Sequence, residues 1–106
     1  MELDKDLRSR QEARTLVAAA QEAFEALKRF DQAKIDRIVD VIADAGEKNA
    51  AGLAKLAVEE TGFGNEADKT EKNRFAARRV QQAIAGMRTV GILREDEQRR
   101  VWDVGV

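Results

Sequence analysis

The chain has 106 residues, 19 Lys and Arg against 20 Asp and Glu, a formal net charge of −1, and neither Cys nor His. That composition removes thiol nucleophiles, disulfides, thiolate metal sites and imidazole acid–base chemistry. The balanced charge argues against general nucleic-acid binding. No apolar run approaches the ~20 residues of a membrane span, and no signal-peptide core follows the charged start. A cytoplasmic chain with no membrane and no nucleic-acid partner is expected. Leu, Ile, Val and Phe number 25 and Ala 18. One small domain with a thin core follows, to which a partner surface would add stability.

Residues 1–8 read as a flexible N-terminus. Ser9 and Glu12 have the spacing of a capping box. Ala13, Leu16, Val17, Ala20, Phe24 and Leu27 then recur at three- and four-residue steps, which predicts a helix over 10–29. Asp31 is the next N-cap, and Phe30 with Ile35 has the spacing of a hydrophobic staple. Ile35, Ile38, Val39 and Ile42 make the stripe of a second helix that Gly46 ends or bends. A third helix is expected over 47–60 with Leu53, Leu56 and Ala57 inward. Gly62 suits the left-handed position after it. Asn65 and Asp68 open a fourth helix, over 66–86, with Phe75, Ala76, Val80, Ala83, Ile84 and Met87 on the buried side. The β-prone runs Thr89–Leu93 and Arg100–Val106 flank a polar connector and predict a hairpin. The second run is apolar up to the last residue of the sequence, so the strand is expected to belong to something larger.

Few residues point to chemistry. Gly62 and Gly64 precede a helix, but their spacing is neither a Walker loop nor a dinucleotide fingerprint. A helix cap and a turn explain them. Lys69, Lys72, Arg74, Arg78 and Arg79 form a basic face suited to phosphate, yet Glu66, Asp68 and Glu71 interleave with it. A solvated, self-paired helix face is the simpler reading. Glu59 and Glu60 are adjacent and diverge by about 100° on a helix, so they do not converge as an acid–base pair. Trp102 alternates with Val104 and Val106 on one strand face. Core packing and a subunit contact account for it equally, and Val101, Trp102 and Val104 are the candidate interface residues.

The stretch from Ala57 to Asn73 carries more information. An acidic-Thr-Gly turn (Glu59, Glu60, Thr61, Gly62), a second glycine at Gly64, the Asp68–Lys69 pair and Lys72–Asn73 together resemble a segment of the CoA-acylating aldehyde dehydrogenases. Phe63 stands where that family often has Met. Val17 to Phe24 is similar to the superfamily's opening helix, and Lys34 to Val39 to its second. Val90 to Leu93, the acidic connector and the terminal strand keep the order expected just before the cofactor-binding core. The likeness spans nearly the whole chain from about residue 9.

The resemblance implies the N-terminal part of the α/β aldehyde dehydrogenase fold. In this chain that is a mainly α segment of about four helices followed by a β-hairpin. Residues 9–87 would be the helical region of the cofactor-binding domain. Residues 88–106 would be the hairpin of the oligomerisation element, cut at 106. Family members oxidise an aldehyde on a Cys thiolate, pass hydride to NAD and release an acyl-CoA. No catalytic, cofactor-binding or metal-binding residue maps onto this sequence, so no cofactor is expected on this chain alone, with NAD and coenzyme A used by the full-length family. The expected role is a non-catalytic scaffold partnered by the remainder of the dehydrogenase or other subunits, as a homo-oligomer at full length. The aldehyde stays open among acetaldehyde, longer aldehydes and sulfoacetaldehyde. The rival reading is a small helical protein-interaction module without enzyme activity.

Overall fold

The computed structural model describes residues 4–105. Val106, the end of the expected second strand, and residues 1–3 lie outside the described residues. The chain divides into two units, Met1–Phe30 and Asp31–Val106.

The first unit is one helix, α1 (Lys5–Leu27). It starts four residues before the expected Ser9 cap, with Asp4 at the N-cap position and no side-chain cap bond. Ser9 therefore lies inside the helix, and the expected capping box does not form. Glu12 turns instead toward Arg8, 3.9 Å away at i, i+4 spacing, a geometry available once the helix has extended backwards. Near its other end the Lys28 ammonium sits 5.4 Å from the centre of the Phe24 ring and 2.7 Å from Glu25. No residue of α1 is buried, although its apolar stripe is the expected one.

The second unit holds α2 (Gln32–Lys48), α3 (Ala50–Thr61), α4 (Glu66–Arg74), a π-helical turn (Phe75–Arg79), α5 (Val80–Ile84), β1 (Ile92–Asp96) and β2 (Val101–Val104). Asp31 caps α2 as expected, accepting from the Lys34 N–H at 2.9 Å. The helix does not end at Gly46. It runs on to Lys48, and Asn49 breaks the chain before α3. Gly46 serves a different purpose: a Cβ there would lie 3.0 Å from the Cβ of Ala77, so the missing side chain lets α2 meet the π turn closely. Gly62 ends α3 in the left-handed conformation, with φ of 69°. Asn65 caps α4 by accepting from the Asp68 N–H at 2.8 Å, and its amide donates to the Asp68 carboxylate at 2.8 Å. This is a capping box closed through side chains, because Asp is too short to reach the backbone as Glu does.

The buried centre consists of Ala43, Ala50 and Ala54. Ile35, Ile38 and Val39 are half-buried, as are Ala57 and Val58, whereas Ile42, Leu53 and Leu56 are exposed. The expectation that Leu53 and Leu56 face inward is thus corrected. Two helices that meet through alanine approach more closely than leucine allows, so here size selects the contact face before hydrophobicity does.

The hairpin is antiparallel. Ile92 pairs with Val104, Arg94 with Asp103, Glu95 with Trp102 and Asp96 with Val101, with a bulge between Ile92 and Arg94. The first strand starts at Ile92, later than the β-prone residues Thr89 and Val90 suggested. Asp96 accepts from the Arg99 N–H at 3.0 Å, and Arg100 takes φ of 54° to return the chain, a left-handed residue closing a tight loop. Two opposed pairs also bond through their side chains: Arg94 to Asp103 at 2.7 Å and the Trp102 indole N–H to Glu95 at 2.9 Å. Among the described residues no helix is long and apolar enough to cross a membrane.

Candidate functional site

Several of the chemistry-bearing residues are tied to structural bonds. The Gly62–Gly64 turn lies ahead of α4, but the N-terminus of that helix is closed by Asn65 and flanked by Glu66 and Asp68. An anion would meet two carboxylates and one donor already engaged, so the turn does not fit a pyrophosphate. Gly64 has φ of 74°, and a Cβ there would fall 2.9 Å from the Lys69 side chain. Glu59 faces Lys55 at 3.9 Å. Among the described residues no three acidic side chains are grouped to hold a metal ion.

The basic face divides in two. Arg78 turns inward and binds Asp44 and Glu47 of α2, the latter at 2.8 Å. Its guanidinium pKa is raised, chiefly by the hydrogen bond to Asp44 and then by that to Glu47. Arg74 pairs with Glu71 at 3.2 Å. Lys72, Phe75 and Arg79, with Glu47, Glu71, Arg74 and Arg78, line a shallow depression. Lys72 and Arg79 have no ionic partner among the described residues.

Three side-chain amides organise the second unit through contacts that the sequence did not predict. The Asn73 amide donates to the Ala50 carbonyl at 3.0 Å, tying α4 to α3. The Gln81 amide donates to Asp40 at 2.6 Å, tying α5 to α2. Gln32, at the first position of α2, accepts from the Thr89 and Val90 N–H groups at 2.8 and 3.1 Å and donates to the Thr89 hydroxyl and Asp36, each at 2.9 Å. One amide thus holds the connector that leads into the hairpin. The only sequence signal for Gln32 is its place just after the Asp31 cap. Its partners lie 57 and 58 residues away, beyond the reach of a local pattern.

The expected buried side of the fourth helix is reversed. Phe75, Val80, Ile84 and Met87 are exposed, while Asn73, Ala77, Arg78 and Gln81 are half-buried. The interface candidates Val101, Trp102 and Val104 are also exposed, Trp102 by 63%, so the structure places none of them in a core.

No family profile matches the sequence. Individual proteins do. The bifunctional aldehyde-alcohol dehydrogenase AdhE of Escherichia coli K12 is 35% identical over 86 residues, which is 81% of this chain and 10% of that protein. Aldehyde-alcohol dehydrogenase 2 of Entamoeba histolytica is 45% identical over 83 residues, 76% of this chain and 10% of its own length. The acylating sulfoacetaldehyde dehydrogenase of Cupriavidus necator is 34% identical over 91 residues, 84% of this chain and 18% of that protein. The crystal structure of an acetylating aldehyde dehydrogenase from Geobacillus thermoglucosidasius superposes with a TM-score of 0.83 at 48% identity, covering 95% of this chain and 22% of that one. A probable aldehyde dehydrogenase of Listeria monocytogenes gives 0.84 at 48% identity, over 96% and 22%. The chain therefore spans a tenth to a fifth of the curated relatives it matches.

Proposed function

Because this chain is an N-terminal segment of the acylating aldehyde dehydrogenase family, we propose that it serves an NAD-dependent, CoA-acylating dehydrogenase as its non-catalytic scaffold. The enzyme's reaction is aldehyde plus CoA plus NAD to acyl-CoA plus NADH and a proton: the aldehyde carbon loses its hydrogen as hydride to NAD and gains the CoA sulfur, whose thiol proton is released to solvent. The reaction needs a nucleophile that can carry an acyl group, and this sequence has no Cys. Residues 9–87 would form the helical part of the cofactor-binding domain. The hairpin, with Val101, Trp102 and Val104, would contribute to assembly of a cytoplasmic homo-oligomer.

The observation that carries this reading is the likeness at 48% identity to dehydrogenases of which the chain covers only 22%. The test is a chimera in which this chain replaces the matched segment of the Geobacillus enzyme. With acetaldehyde, CoA and NAD, the chimera is expected to form NADH, read at its near-ultraviolet absorbance, and the 106-residue chain alone to form none. Turnover by the chain alone, or a dead chimera beside an active parent, would overturn the proposal. A second reading, a self-standing interaction module, draws support from the exposed hairpin. It requires the chain to be folded and monodisperse, alone or with one defined partner.

A further inference from the structure

The basic face of α4 and the π turn is neutralised only in part. Asp44 and Glu47 hold Arg78, and Glu71 holds Arg74. Lys72 and Arg79 are exposed and have no ionic partner among the described residues. Phe75 comes three residues after Lys72 and four before Arg79, the spacing that sets helix side chains beside one another. All three line the same open depression of about 530 Å³, and Phe75 is 61% exposed in it. The lining carries four cations against Glu47 and Glu71, a surplus of two positive charges. Asp44, bound to Arg78 but outside the lining, trims that surplus to one. The depression thus pairs unanswered positive charge with an open aromatic ring.

We infer that this depression binds the phosphomonoester end of a nucleotide, with Lys72 and Arg79 as the cations for the phosphate and Phe75 as the face on which the base stacks. Three features select that chemistry. A phosphomonoester carries a charge of about −1.5 to −2 at neutral pH, so it answers both free cations where a carboxylate would answer one. Bases of every kind stack on an exposed aromatic ring, and a cation beside the ring holds the backbone phosphate. The volume lies in the roughly 300–1,000 Å³ range of small-molecule sites, more than a phosphate ion alone would fill. A nucleic-acid strand is disfavoured, because the chain's net charge is −1 and this face offers a single aromatic residue. Two sources share the chemistry: the 3′-phosphorylated adenosine end of CoA, and a free nucleotide. The first source rests on the function proposed above; the second does not.

The test is isothermal titration calorimetry on the Geobacillus chimera with two ligand pairs that differ by one phosphomonoester: CoA against dephospho-CoA, and AMP against adenosine. Lys72→Gln and Arg79→Gln are each expected to weaken CoA or AMP at least about fivefold, the loss of one charge-assisted contact. Dephospho-CoA and adenosine should stay within about twofold, because they lack the group those cations hold. Phe75→Ala should weaken both members of a pair, and Phe75→Trp should not. These side chains are exposed, so the variants lose no packing. Charge-dependent loss for CoA assigns the site to the CoA end, and the same loss for AMP alone assigns it to a free nucleotide; either upholds the site. No loss for either ligand overturns the inference. An equal loss in Lys55→Gln, which removes an exposed cation outside the depression, also overturns it, in favour of general charge attraction. Unchanged affinities in Phe75→Ala would remove the base from the account and with it the nucleotide. NADH formation by the chimera is read separately. An active chimera whose affinities ignore Lys72 and Arg79 sinks this inference alone, and an inactive one that keeps the charge-dependent binding upholds it while sinking the catalytic reading.

Discussion

Replacing Gln32 by Ala removes the one side chain that receives the Thr89 and Val90 N–H groups, at 2.8 and 3.1 Å. A net hydrogen bond contributes about 1 kcal/mol. Two lost backbone bonds therefore lower the opening free energy of this connector by about 2 kcal/mol, or roughly thirtyfold in an opening constant. Amide hydrogen exchange by NMR reads that number directly: Thr89 and Val90 should exchange roughly thirtyfold faster in the variant while amides inside α3 change little. Gln32→Glu is the control. It keeps the acceptor for both N–H groups but loses the donor to Thr89 and faces Asp36 as a like charge. Its exchange rates should fall between those of the parent and the Ala variant. Thr89 and Val90 exchange in Gln32→Ala within about twofold of the parent would show that the amide does not hold the connector, and the reasoning would fail.

Other perturbations test separate parts of the fold. Asn65→Ala deletes the α4 cap and should cost about 1 kcal/mol in a denaturant titration, with Asn65→Asp recovering most of it; no loss would mean the cap bond is idle. Gly105→Ala would put a Cβ 1.9 Å from the Thr89 carbonyl oxygen, against a chain already bonded from the Gly105 N–H to Gly91 at 2.8 Å. Backbone cannot yield as a side chain does, so about 1–3 kcal/mol of overpacking is expected, and hairpin amides should lose protection. Arg78→Gln should lower the melting temperature, less so in high salt because screening weakens the parent's ion pairs. Arg78 has a raised folded pKa, so its contribution is complete below the ordinary guanidinium value and is lost only as pH climbs through the folded one. The difference between parent and Arg78→Gln should stay flat from about pH 6 to about pH 10. A difference that disappears inside that window would contradict the linkage.

The sequence was most legible where a local rule acts alone. Asp31 and Asn65 cap their helices, Gly62 ends α3 in the left-handed region, and Val101–Val104 form the second strand of a hairpin. It misled where packing overrides the local rule. Ser9 had the right spacing for a cap, but Asp4 and the helix formers after it start the helix earlier. Gly46 looked like a terminator because glycine is poor in helices, yet here it is the contact point with Ala77. The apolar periodicity of Phe75, Val80 and Ile84 was sound, but the π turn, which has no local sequence code, decided that this side faces out. The role of Gln32 depends on residues 57 and 58 positions away and was not readable at all. The family resemblance was readable because it rests on a run of specific residues, Thr61, Gly62, Gly64, Asp68, Lys69, Lys72 and Asn73. In the structure several of these have local duties: Thr61 bonds the Ala57 carbonyl, Asp68 completes the cap, and Asn73 ties α4 to α3.

The central claim, that this sequence is scaffold for a larger dehydrogenase, is tested most directly by the intact mass of the native polypeptide that carries it. A mass several times the 11.8 kDa of these residues is predicted, with a Cys nucleophile in the part beyond them. A native polypeptide of 11.8 kDa, isolated with no dehydrogenase subunit attached, would contradict the account.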